Sequence, residues 1–503
     1  MTEIVPRWEW RTFGANLPDE HATFEEISHT GVFDSDEVYL LSPGGSNVKI
    51  RDDLMDIKVL REVDAAGLEQ WMPVTKTAFP ITRPGLEEVF KALGIAPPDL
   101  HRDRYTLTQF IEEIALRHPD VQVVDVHKRR SRYVVGGCSM ESTDVVANGR
   151  RTRTIAVESE DAAAVVDGVS SLGLSDYLNI NYIKGLRGAI EGTPSRYGVI
   201  DVGTNSVKFH LAELDEAGSW TTMVDRAELT RLGEDLDTSG EITPSAIERT
   251  ATAIAAMADE AKQHDALAIA AVGTAGLRIA QNRDDVIEQI RSLSGVTVEV
   301  ISGDEESRLA YLAVGQSLDI GEGSLVVFDT GGGSSQFTFG TDNAVDERFS
   351  VDVGAVRYTE RFHLDEVVPD DLFTDAMAAI AGDLERIHGR EAPDRLVAMG
   401  GATTNIAAVS HAMMSYDPDV IQGTVLTLAE VDRQIDMYRS MGAAERSGIV
   451  GLQPKRADVI LAGVCIVRTV METLDQDSLT VCDRGLRHGL LAERFGASEP
   501  LAP

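Results

Sequence analysis

Two stretches of the chain decide its fold. The first is Tyr197-Gly-Val-Ile-Asp201-Val-Gly-Thr-Asn-Ser-Val-Lys-Phe-His-Leu211, and the second is Leu325-Val-Val-Phe-Asp329-Thr-Gly-Gly-Gly-Ser-Ser-Gln-Phe-Thr-Phe339. Each has the pattern of an apolar strand that ends in an aspartate, a glycine-bearing turn and a second, alternating strand. One such pattern would be weak, but two in tandem predict an α/β fold with two similar lobes and a cleft between them.

Further elements are predicted around the first stretch. Thr243 and Pro244 form a helix start, with the threonine as N-cap and the proline at N1. Ala268–Val272 has the pattern of a buried strand, and Gly192–Ser195 that of a linker. Before the linker, short alternating stretches such as Thr152–Glu158 predict antiparallel strands with one charged face.

These patterns divide the chain into three expected domains. Residues 1–190 form a β-rich α+β domain, residues 191–320 the first lobe and residues 321–503 the second lobe. We expect the C-terminal helix to pack back on the first lobe.

Composition excludes several functional classes. The formal net charge of −36 argues against nucleic-acid binding through a basic face. No apolar run is long enough for a membrane span, and the N-terminus lacks a secretory apolar region. Cys138, Cys465 and Cys482 have neither metal-ligand nor disulfide spacing, which predicts a cytoplasmic protein. A net charge this negative would repel any negatively charged substrate unless salt screens the repulsion. We therefore hypothesise a salt-loving source.

The two turns carry residue types that suit phosphate chemistry. Their backbone N–H groups can cradle phosphate oxygens, and the preceding Asp201 and Asp329 can hold a divalent cation. Three consecutive glycines cost conformational entropy, which indicates close approach of another group to the backbone. Plain tight hairpins remain the alternative for either turn alone.

Further motifs occur between and after the turns. They are Arg231-Leu-Gly233, Gly273–Asn282, Val300–Leu309, Gly354–Arg357, Gly400–Asn405, Arg456–Asp458 and Asp483–Gly489. Together with the turns, and in this order, they resemble the exopolyphosphatase / guanosine pentaphosphate phosphohydrolase family from about residue 196 to residue 495. The resemblance implies duplicated ribonuclease-H-like lobes of the actin/hexokinase type and hydrolysis of terminal phosphoanhydride bonds.

The resemblance also implies roles for individual residues. Glu306 corresponds to the base that activates water, and Arg278 to an arginine that contacts phosphate. Asp329 corresponds to the ligand of Mg²⁺ (or Mn²⁺), and Asp201 is its counterpart in the first lobe. Lys208 either contacts phosphate or faces solvent. The implied phosphate-binding positions are Gly203, Thr204, Asn205, Ser206, Gly331, Gly332, Gly333 and Ser334. The implied substrate is inorganic polyphosphate or guanosine pentaphosphate.

One position departs from the family pattern. The second turn of the family ends in Ser-Thr-Glu, and this glutamate helps to hold the metal, whereas here the triplet is Ser334-Ser335-Gln336. A neutral amide should bind the cation more weakly, which leaves open a polyphosphate or alarmone sensor without turnover. A sugar or acetate kinase of the same superfamily is disfavoured, because Val300–Leu309 is not a kinase motif. The chain resembles the short two-lobed form of the family, so action on long chains would depend on the N-terminal domain or on a homodimer.

The N-terminal region has a second resemblance. Val48–Arg51, Lys58, Lys128–Arg130 and Glu158 are similar to the strand-borne charged residues of CYTH-type triphosphate tunnel proteins, although only Glu9-Trp-Arg11 remains of their starting signature. This resemblance implies a barrel that grips a polyphosphate tail. The alternative is an ordinary β-rich domain with charged faces.

Overall fold

The computed structural model describes residues 5–14, 17, 28–64, 66–204, 206–215, 217–234, 236–318, 321–341 and 344–496. These residues form two compact units. The first contains the chain up to Ala271 together with Gln281–Val298 and Phe495, and the second contains Val272–Ala280 and Glu299–Arg494. The boundary expected near residue 190 lies inside the first unit, and the division into three domains stays a prediction.

The N-terminal part of the first unit is a closed barrel of eight antiparallel strands in the order β1-β10-β9-β8-β2-β3-β4-β5. The strands are β1 (Arg7–Gly14), β2 (Ser28–Leu41), β3 (Asn47–Arg51), β4 (Leu54–Val63), β5 (Glu69–Ala78), β8 (Gln122–Val135), β9 (Cys138–Ala147) and β10 (Arg150–Ser159). Side chains alternate between the lumen and the outside, so Lys128 and Arg130 on β8 are buried while Arg129 between them is exposed. The lumen is therefore lined by alternate residues of the strands.

Short elements cover the barrel. They are β6 (Ile81–Thr82), α1 (Arg83–Leu93), β7 (Arg104–Tyr105), α2 (Leu107–Gln109), a π turn (Phe110–Ile114), a 3₁₀ turn (Ala115–Arg117), α3 (Ala162–Ser171) and α4 (Tyr182–Glu191). The Asn181 side chain caps α4 by accepting from the Lys184 N–H at 2.9 Å. Helix α4 ends at Gly192 in the left-handed conformation, and Ser195 already belongs to the next strand. The predicted linker is therefore wrong at Ser195.

The first α/β sheet has the order β13-β12-β11-β14-β15. Its strands are β11 (Ser195–Val202), β12 (Ser206–Leu214), β13 (Trp220–Leu229), β14 (Ala268–Gly273) and β15 (Glu299–Val300), and the helices along this part of the chain are α5 (Leu236–Ser239), α6 (Pro244–Gln263), α7 (Ala275–Ile279), α8 (Arg283–Ser294) and α9 (Gly303–Ser317). The predicted start of α6 is confirmed, since Thr243 accepts from the Ala246 N–H at 3.3 Å. Strand β14 is buried at every residue, as its pattern predicts.

The second α/β sheet has the order β18-β17-β16-β19-β21-β20. Its strands are β16 (Ser324–Thr330), β17 (Ser335–Thr341), β18 (Ala344–Val351), β19 (Arg395–Met399), β20 (Val425–Thr427) and β21 (Ser478–Val481). Its helices are α10 (Ala355–Phe362), α11 (Asp370–Asp383), α12 (Gly400–Ser410), α13 (Pro418–Ile421), α14 (Leu428–Arg439), α15 (Ala443–Arg446), α16 (Ile460–Thr473) and α17 (Leu486–Phe495), with 3₁₀ turns at Glu385–Ile387 and Pro454–Arg456. The apolar α16 lies in the centre of the core.

Both sheets begin with the same plan of three antiparallel strands, β13-β12-β11 in one and β18-β17-β16 in the other. The predicted duplication is therefore present in the strand order. At the C-terminus, the ring of Phe495 stacks on Tyr197 of β11, with centroids 4.7 Å apart. Among the described residues, no helix combines the length and apolar character required to cross a membrane.

Candidate functional site

The two glycine-bearing hairpins have the same turn geometry. In the first, the Gly203 N–H donates to the Ser206 carbonyl at 3.1 Å, and in the second, the Gly331 N–H donates to the Ser334 carbonyl at 2.9 Å. The cross-strand register is also equivalent, because Asp201 lies opposite Lys208 and Asp329 opposite Gln336. The remaining predicted turn residue of the first hairpin, Asn205, lies outside the described residues.

In the first hairpin, the carboxylate of Asp201 is buried and half satisfied. Its Oδ2 lies 3.2 Å from Nζ of Lys208, whereas Oδ1 has no hydrogen-bond partner among the described residues. Lys208 thus faces the aspartate rather than only solvent. The Arg-Leu-Gly segment supports the turn: the Gly233 N–H donates to the Thr204 carbonyl at 2.8 Å, and a Cβ at Gly233 would lie 2.2 Å from the Thr204 methyl group.

In the second hairpin, N–H groups at the start of helix α10 donate hydrogen bonds to carbonyl groups of the glycine turn. The N–H groups of Ala355 and Val356 donate to the carbonyls of Gly331 and Gly332, both at 2.9 Å. The amides of Gly332 and Gly333 have no hydrogen-bond partner among the described residues. A Cβ at Gly333 would meet no atom within 4 Å. A Cβ at Gly332 would lie 3.1 Å from Cγ2 of Val356, so the open space lies at Gly333.

The approach of α10 explains a further glycine of the sequence motifs. A Cβ at Gly354 would lie 2.4 Å from the carbonyl oxygen of Gly332. Only glycine allows the N-terminus of α10 to reach the turn so closely.

The carboxylate of Asp329 lies against the N-terminus of α12. A Cβ at Gly400, the first residue of that helix, would be 2.1 Å from Oδ1 of Asp329, and Gly400 has a φ of +88°. Glycine is needed there for both reasons. The positive end of the helix dipole stabilises negative charge at this position. The Gln336 side-chain amide donates to Oγ of Ser334 at 2.8 Å, so it lies beside the turn.

Arg278 and Glu306 form an ion pair in the second unit. Helix α7 carries Arg278 and the first turn of α9 carries Glu306, and Nη1 of the arginine lies 2.8 Å from Oε2 of the glutamate. The same Nη1 donates to the Ile301 carbonyl at 3.1 Å. Ser302 caps α9 by accepting from the Glu305 N–H at 3.1 Å, which fixes the helix start. The Arg278 side chain is 27% exposed and the Glu306 side chain 30%, so water can reach both.

The neighbouring acid, Glu305, is held differently. Arg308 donates two hydrogen bonds to it, at 2.9 and 2.7 Å. These hydrogen bonds hold the pKa of the Glu305 carboxyl below its ordinary value. A carboxylate in a bidentate pair is a poor proton acceptor, so the geometry favours Glu306 over Glu305 as a base.

A second candidate site is the barrel lumen, which encloses a cavity of about 200 Å³. Seven lysines and arginines line it, against four acids and the buried Glu37 behind them, so it is a positive region in an acidic chain. The lining residues are Glu9, Arg11, Tyr39, Asn47, Lys49, Arg51, Asp56, Lys58, Lys128, Arg130, Arg132, Glu141, Thr143, Glu158 and Tyr182. The hydroxyl groups of Thr143 and Tyr182 are buried there without a hydrogen-bond partner among the described residues.

A single buried carboxylate, that of Glu37, forms ion pairs with four of the lumen cations. Its oxygens lie 3.2 Å from Lys49, 3.5 Å from Arg51, 3.0 Å from Lys128 and 2.5 Å from Arg130. Burial raises the pKa of Glu37, but these cations, Lys128 foremost, outweigh burial and hold the pKa far below its ordinary value. Burial lowers the pKa of Lys128, and the adjacent Lys49 lowers it further. The lumen therefore holds its cations at a cost that a bound anion would relieve.

Acids meet on the opposite wall of the barrel. Glu9 on β1 is the cross-strand neighbour of both Glu69 on β5 and Glu158 on β10. Burial, followed by the charge of Glu9, raises the pKa of Glu158 to about 7. For Glu9 burial acts in the same direction, but the attraction of Arg11 and Lys58 lowers its pKa. Burial and the charge of Glu9 thus disfavour the charged form of Glu158.

Sequence reasoning missed several of these residues. Glu37 and Tyr182 carried no motif, although the alternation of β2 could have placed Glu37 in the lumen. Arg129 was grouped with the basic residues of the barrel, but it faces outward. The contact between Asp329 and Gly400 joins two motifs that the sequence could only order along the chain.

A sequence model of the Ppx/GppA phosphatase family matches residues 213–497. The chain belongs to this family. Exopolyphosphatase 1 of Mycobacterium tuberculosis is 28% identical over 309 residues, covering 60% of this chain and 88% of that protein. Exopolyphosphatase 2 of the same organism is 30% identical over 320 residues, covering 60% of this chain and 99% of that protein. The crystal structure of the Aquifex aeolicus Ppx/GppA phosphatase superposes with a TM-score of 0.55 at 31% identity, over 59% of this chain and 99% of that one.

The family membership confirms the predicted fold class, two actin-like α/β lobes, which here follow a β-barrel. It also confirms that the protein is a phosphoanhydride hydrolase. The roles of the individual residues stay predictions at this point.

Proposed function

We propose that the protein is a divalent-cation-dependent exopolyphosphatase, which releases orthophosphate from the end of inorganic polyphosphate, with guanosine pentaphosphate as the alternative substrate. The observation that carries the proposal is the second glycine turn. In the same hairpin as Asp329, the amides of Gly332 and Gly333 have no partner among the described residues, and there is open space at Gly333. Backbone N–H groups in this arrangement suit phosphate oxygens.

In the proposed reaction, Glu306 orients a water molecule and accepts its proton while the water oxygen attacks the terminal phosphorus. The bond between that phosphorus and the bridging oxygen breaks, which yields orthophosphate and a chain shorter by one phosphate. Arg278, which donates to Glu306 at 2.8 Å, turns toward the phosphate and balances the negative charge that develops there. The N–H groups of Gly332 and Gly333 hold the non-reacting oxygens.

Each hairpin by itself offers oxygen ligands that fit a hard divalent cation. Asp329 supplies a carboxylate and Gln336 an amide oxygen in the second hairpin. In the first, Oδ1 of Asp201 is buried and has no partner among the described residues. A bound Mg²⁺ or Mn²⁺ would neutralise charge on the phosphate oxygens.

We further propose that the barrel holds the polyphosphate chain. The excess of basic side chains in the lumen and the buried hydroxyls of Thr143 and Tyr182 support this role. Phosphate groups would receive the charge-assisted hydrogen bonds that Lys49, Lys128 and Arg130 now give to Glu37.

A phosphate-release assay tests the proposal. Long-chain polyphosphate, tripolyphosphate, guanosine pentaphosphate and ATP are compared with Mg²⁺ and Mn²⁺ separately, in low and high salt. We expect release from polyphosphate, and a loss of about 10²- to 10⁴-fold in kcat for Glu306→Gln. Glu305→Gln is the matched control, because this acid is one residue away and already engaged by Arg308. Equal activity of the wild type and Glu306→Gln would remove Glu306 from the mechanism.

The remaining expectations concern where and how the enzyme works. We propose a cytoplasmic protein, which the three buried free cysteines support. A homodimer and the absence of nucleic-acid binding also stay proposals. With a net charge of −36, activity on polyphosphate should rise with salt as screening weakens repulsion. Highest activity in dilute buffer would contradict the proposed salt-loving source.

A further inference from the structure

The lumen wall and the first α/β sheet meet in one hydrophobic cluster. Tyr182, the first residue of α4, lies in the lumen wall, where its ring stacks on Tyr39 with centroids 5.0 Å apart. Nζ of Lys128 lies 3.8 Å from the centroid of the same ring. The cluster that contains these tyrosines also packs against Leu267, the residue before β14. The barrel and the sheet are thus joined by packing and not only by the chain.

The segment that leads to Tyr182 is fixed to the barrel. The Ile180 N–H donates to the Arg11 carbonyl at 2.6 Å, and the Arg11 N–H donates to Oδ1 of Asn179 at 2.8 Å. The Asn181 side chain donates to Oε1 of Glu69 at 3.1 Å. Since Arg11 also lines the lumen, this segment touches both the wall and the charge of the cavity.

The same segment is fixed to the first sheet by its other end. The Leu178 N–H donates to the Leu267 carbonyl at 2.9 Å, and the Ile269 N–H donates to the Asp176 carbonyl at 2.7 Å. Tyr177 forms an isolated antiparallel bridge with Ala268. We name Asp176–Tyr182 the coupling segment. It pairs with the start of β14 at one end and enters the lumen wall at the other. Strand β14 is also where the chain passes into the second unit, and Arg278 follows it in sequence.

We propose that the coupling segment transmits anion occupancy of the barrel to strand β14, so that the barrel regulates the hydrolase in addition to holding its substrate. This inference rests on the proposed anion-binding role of the lumen. A phosphate chain would neutralise the lumen cations, Lys128 and Arg11 among them, and would restrict the ring of Tyr182 that packs against Lys128. Local opening of the coupling segment then becomes rarer, because the bound state stabilises the closed one.

Hydrogen exchange of the full-length chain tests the coupling without turnover. Exchange is measured in EDTA with sodium tripolyphosphate, with orthophosphate and with sodium chloride at equal ionic strength. In peptides covering 176–182 and 266–271, the amides of Leu178 and Ile269 should exchange about fivefold more slowly, or slower still, with tripolyphosphate. Unchanged exchange at both amides, while calorimetry shows tripolyphosphate binding that Arg130→Ala removes, would overturn the proposal.

Two variant pairs locate the effect. Arg130→Ala should abolish it, whereas Arg129→Ala, on the outer face of the same strand, should keep it. Tyr182→Leu should still bind tripolyphosphate but lose the slowing at Ile269, while Tyr182→Phe, which keeps the ring, should retain it. Slowing that persists in Tyr182→Leu would overturn the coupling through this residue.

Two outcomes separate failure of the barrel site and its coupling from failure of the hydrolase. If Arg130→Ala leaves the calorimetric affinity for tripolyphosphate unchanged, the anion binds outside the lumen. That result would overturn both the barrel site and the coupling. The absence of phosphate release under every metal and salt condition would refute the hydrolase alone, because the exchange experiment involves no turnover.

Discussion

The two hairpins, β11–β12 and β16–β17, share a backbone but differ in charge. Each turn is closed by the same hydrogen bond between equivalent glycine and serine residues. In the first, a lysine faces the aspartate and lies 3.2 Å from it. In the second, the equivalent position is a neutral glutamine. Duplication has thus kept the geometry of the glycine turn while the electrostatics of the two copies diverged.

The difference assigns separate tasks to the two aspartates. Lys208 already compensates the charge of Asp201, so this hairpin presents little net charge to a cation. Asp329 lies opposite a neutral amide and against a helix N-terminus, which stabilises its ionised form. We therefore expect the second hairpin to contribute most of the electrostatic attraction for the metal.

Replacing each aspartate by asparagine should give the largest asymmetry. Asp329→Asn should raise the cation concentration for half-maximal phosphate release by about 100-fold or more, since even outer-sphere partners of metals typically cost 10- to 100-fold. Asp201→Asn should cost about tenfold or less, because Lys208 already binds this carboxylate at 3.2 Å and competes with a cation for it. Metal titrations of the release rate measure both. A larger shift for Asp201→Asn would show that Lys208 does not neutralise its partner when substrate is bound.

The turn glycines allow a second comparison. A Cβ at Gly333 meets nothing within 4 Å and no positive φ is required there, so Gly333→Ala should leave thermal stability within about 1 kcal/mol of the wild type. Activity should nevertheless fall by about tenfold or more, because the added methyl group occupies the space proposed for phosphate.

The matched variant is Gly203→Ala, where a Cβ would lie 2.9 Å from the Ser206 carbonyl oxygen. This change should lower the melting temperature as well as the activity, since the first turn itself must shift. Unfolding curves and kcat/KM values of the two variants separate lost substrate space from lost structure. Full activity in Gly333→Ala would mean that phosphate does not lie over this turn.

The contrast between hairpins and barrel shows what the sequence could predict. An aspartate at a strand end followed by glycines is a local signal, so both hairpins and the helix start at Thr243 followed from short stretches. The barrel lumen depends on closure of eight strands and on register, which brings Glu9 beside Glu69 and Glu158 from distant parts of the chain. No local pattern contains that pairing.

Contacts between residues that are distant in sequence could not be predicted either. Gly400 belongs to a recognised motif, yet the reasons that require glycine there, the Asp329 carboxylate beside it and its φ of +88°, appear only in the structure. Glu37 lies among four cations that come from β3 and β8, and its role depends on their convergence. Such residues become functional candidates only once the strands are placed.

The smallest expected effect comes from making the second hairpin more acidic. Gln336→Glu restores the glutamate of the family pattern opposite Asp329 and adds one negative charge where the cation is proposed to bind. A unit negative charge about 8 Å from a divalent cation in water contributes about 1 kcal/mol, so the cation concentration for half-maximal activity should fall about fivefold. Gln336→Ala is the control, because it removes the hydrogen bond to Ser334 without adding charge, and it should not tighten metal binding. The gain should shrink in high salt, since screening weakens an exposed charge. An unchanged metal requirement in Gln336→Glu at low salt would mean that position 336 does not reach the cation, and that the difference between the hairpins lies in Lys208 alone.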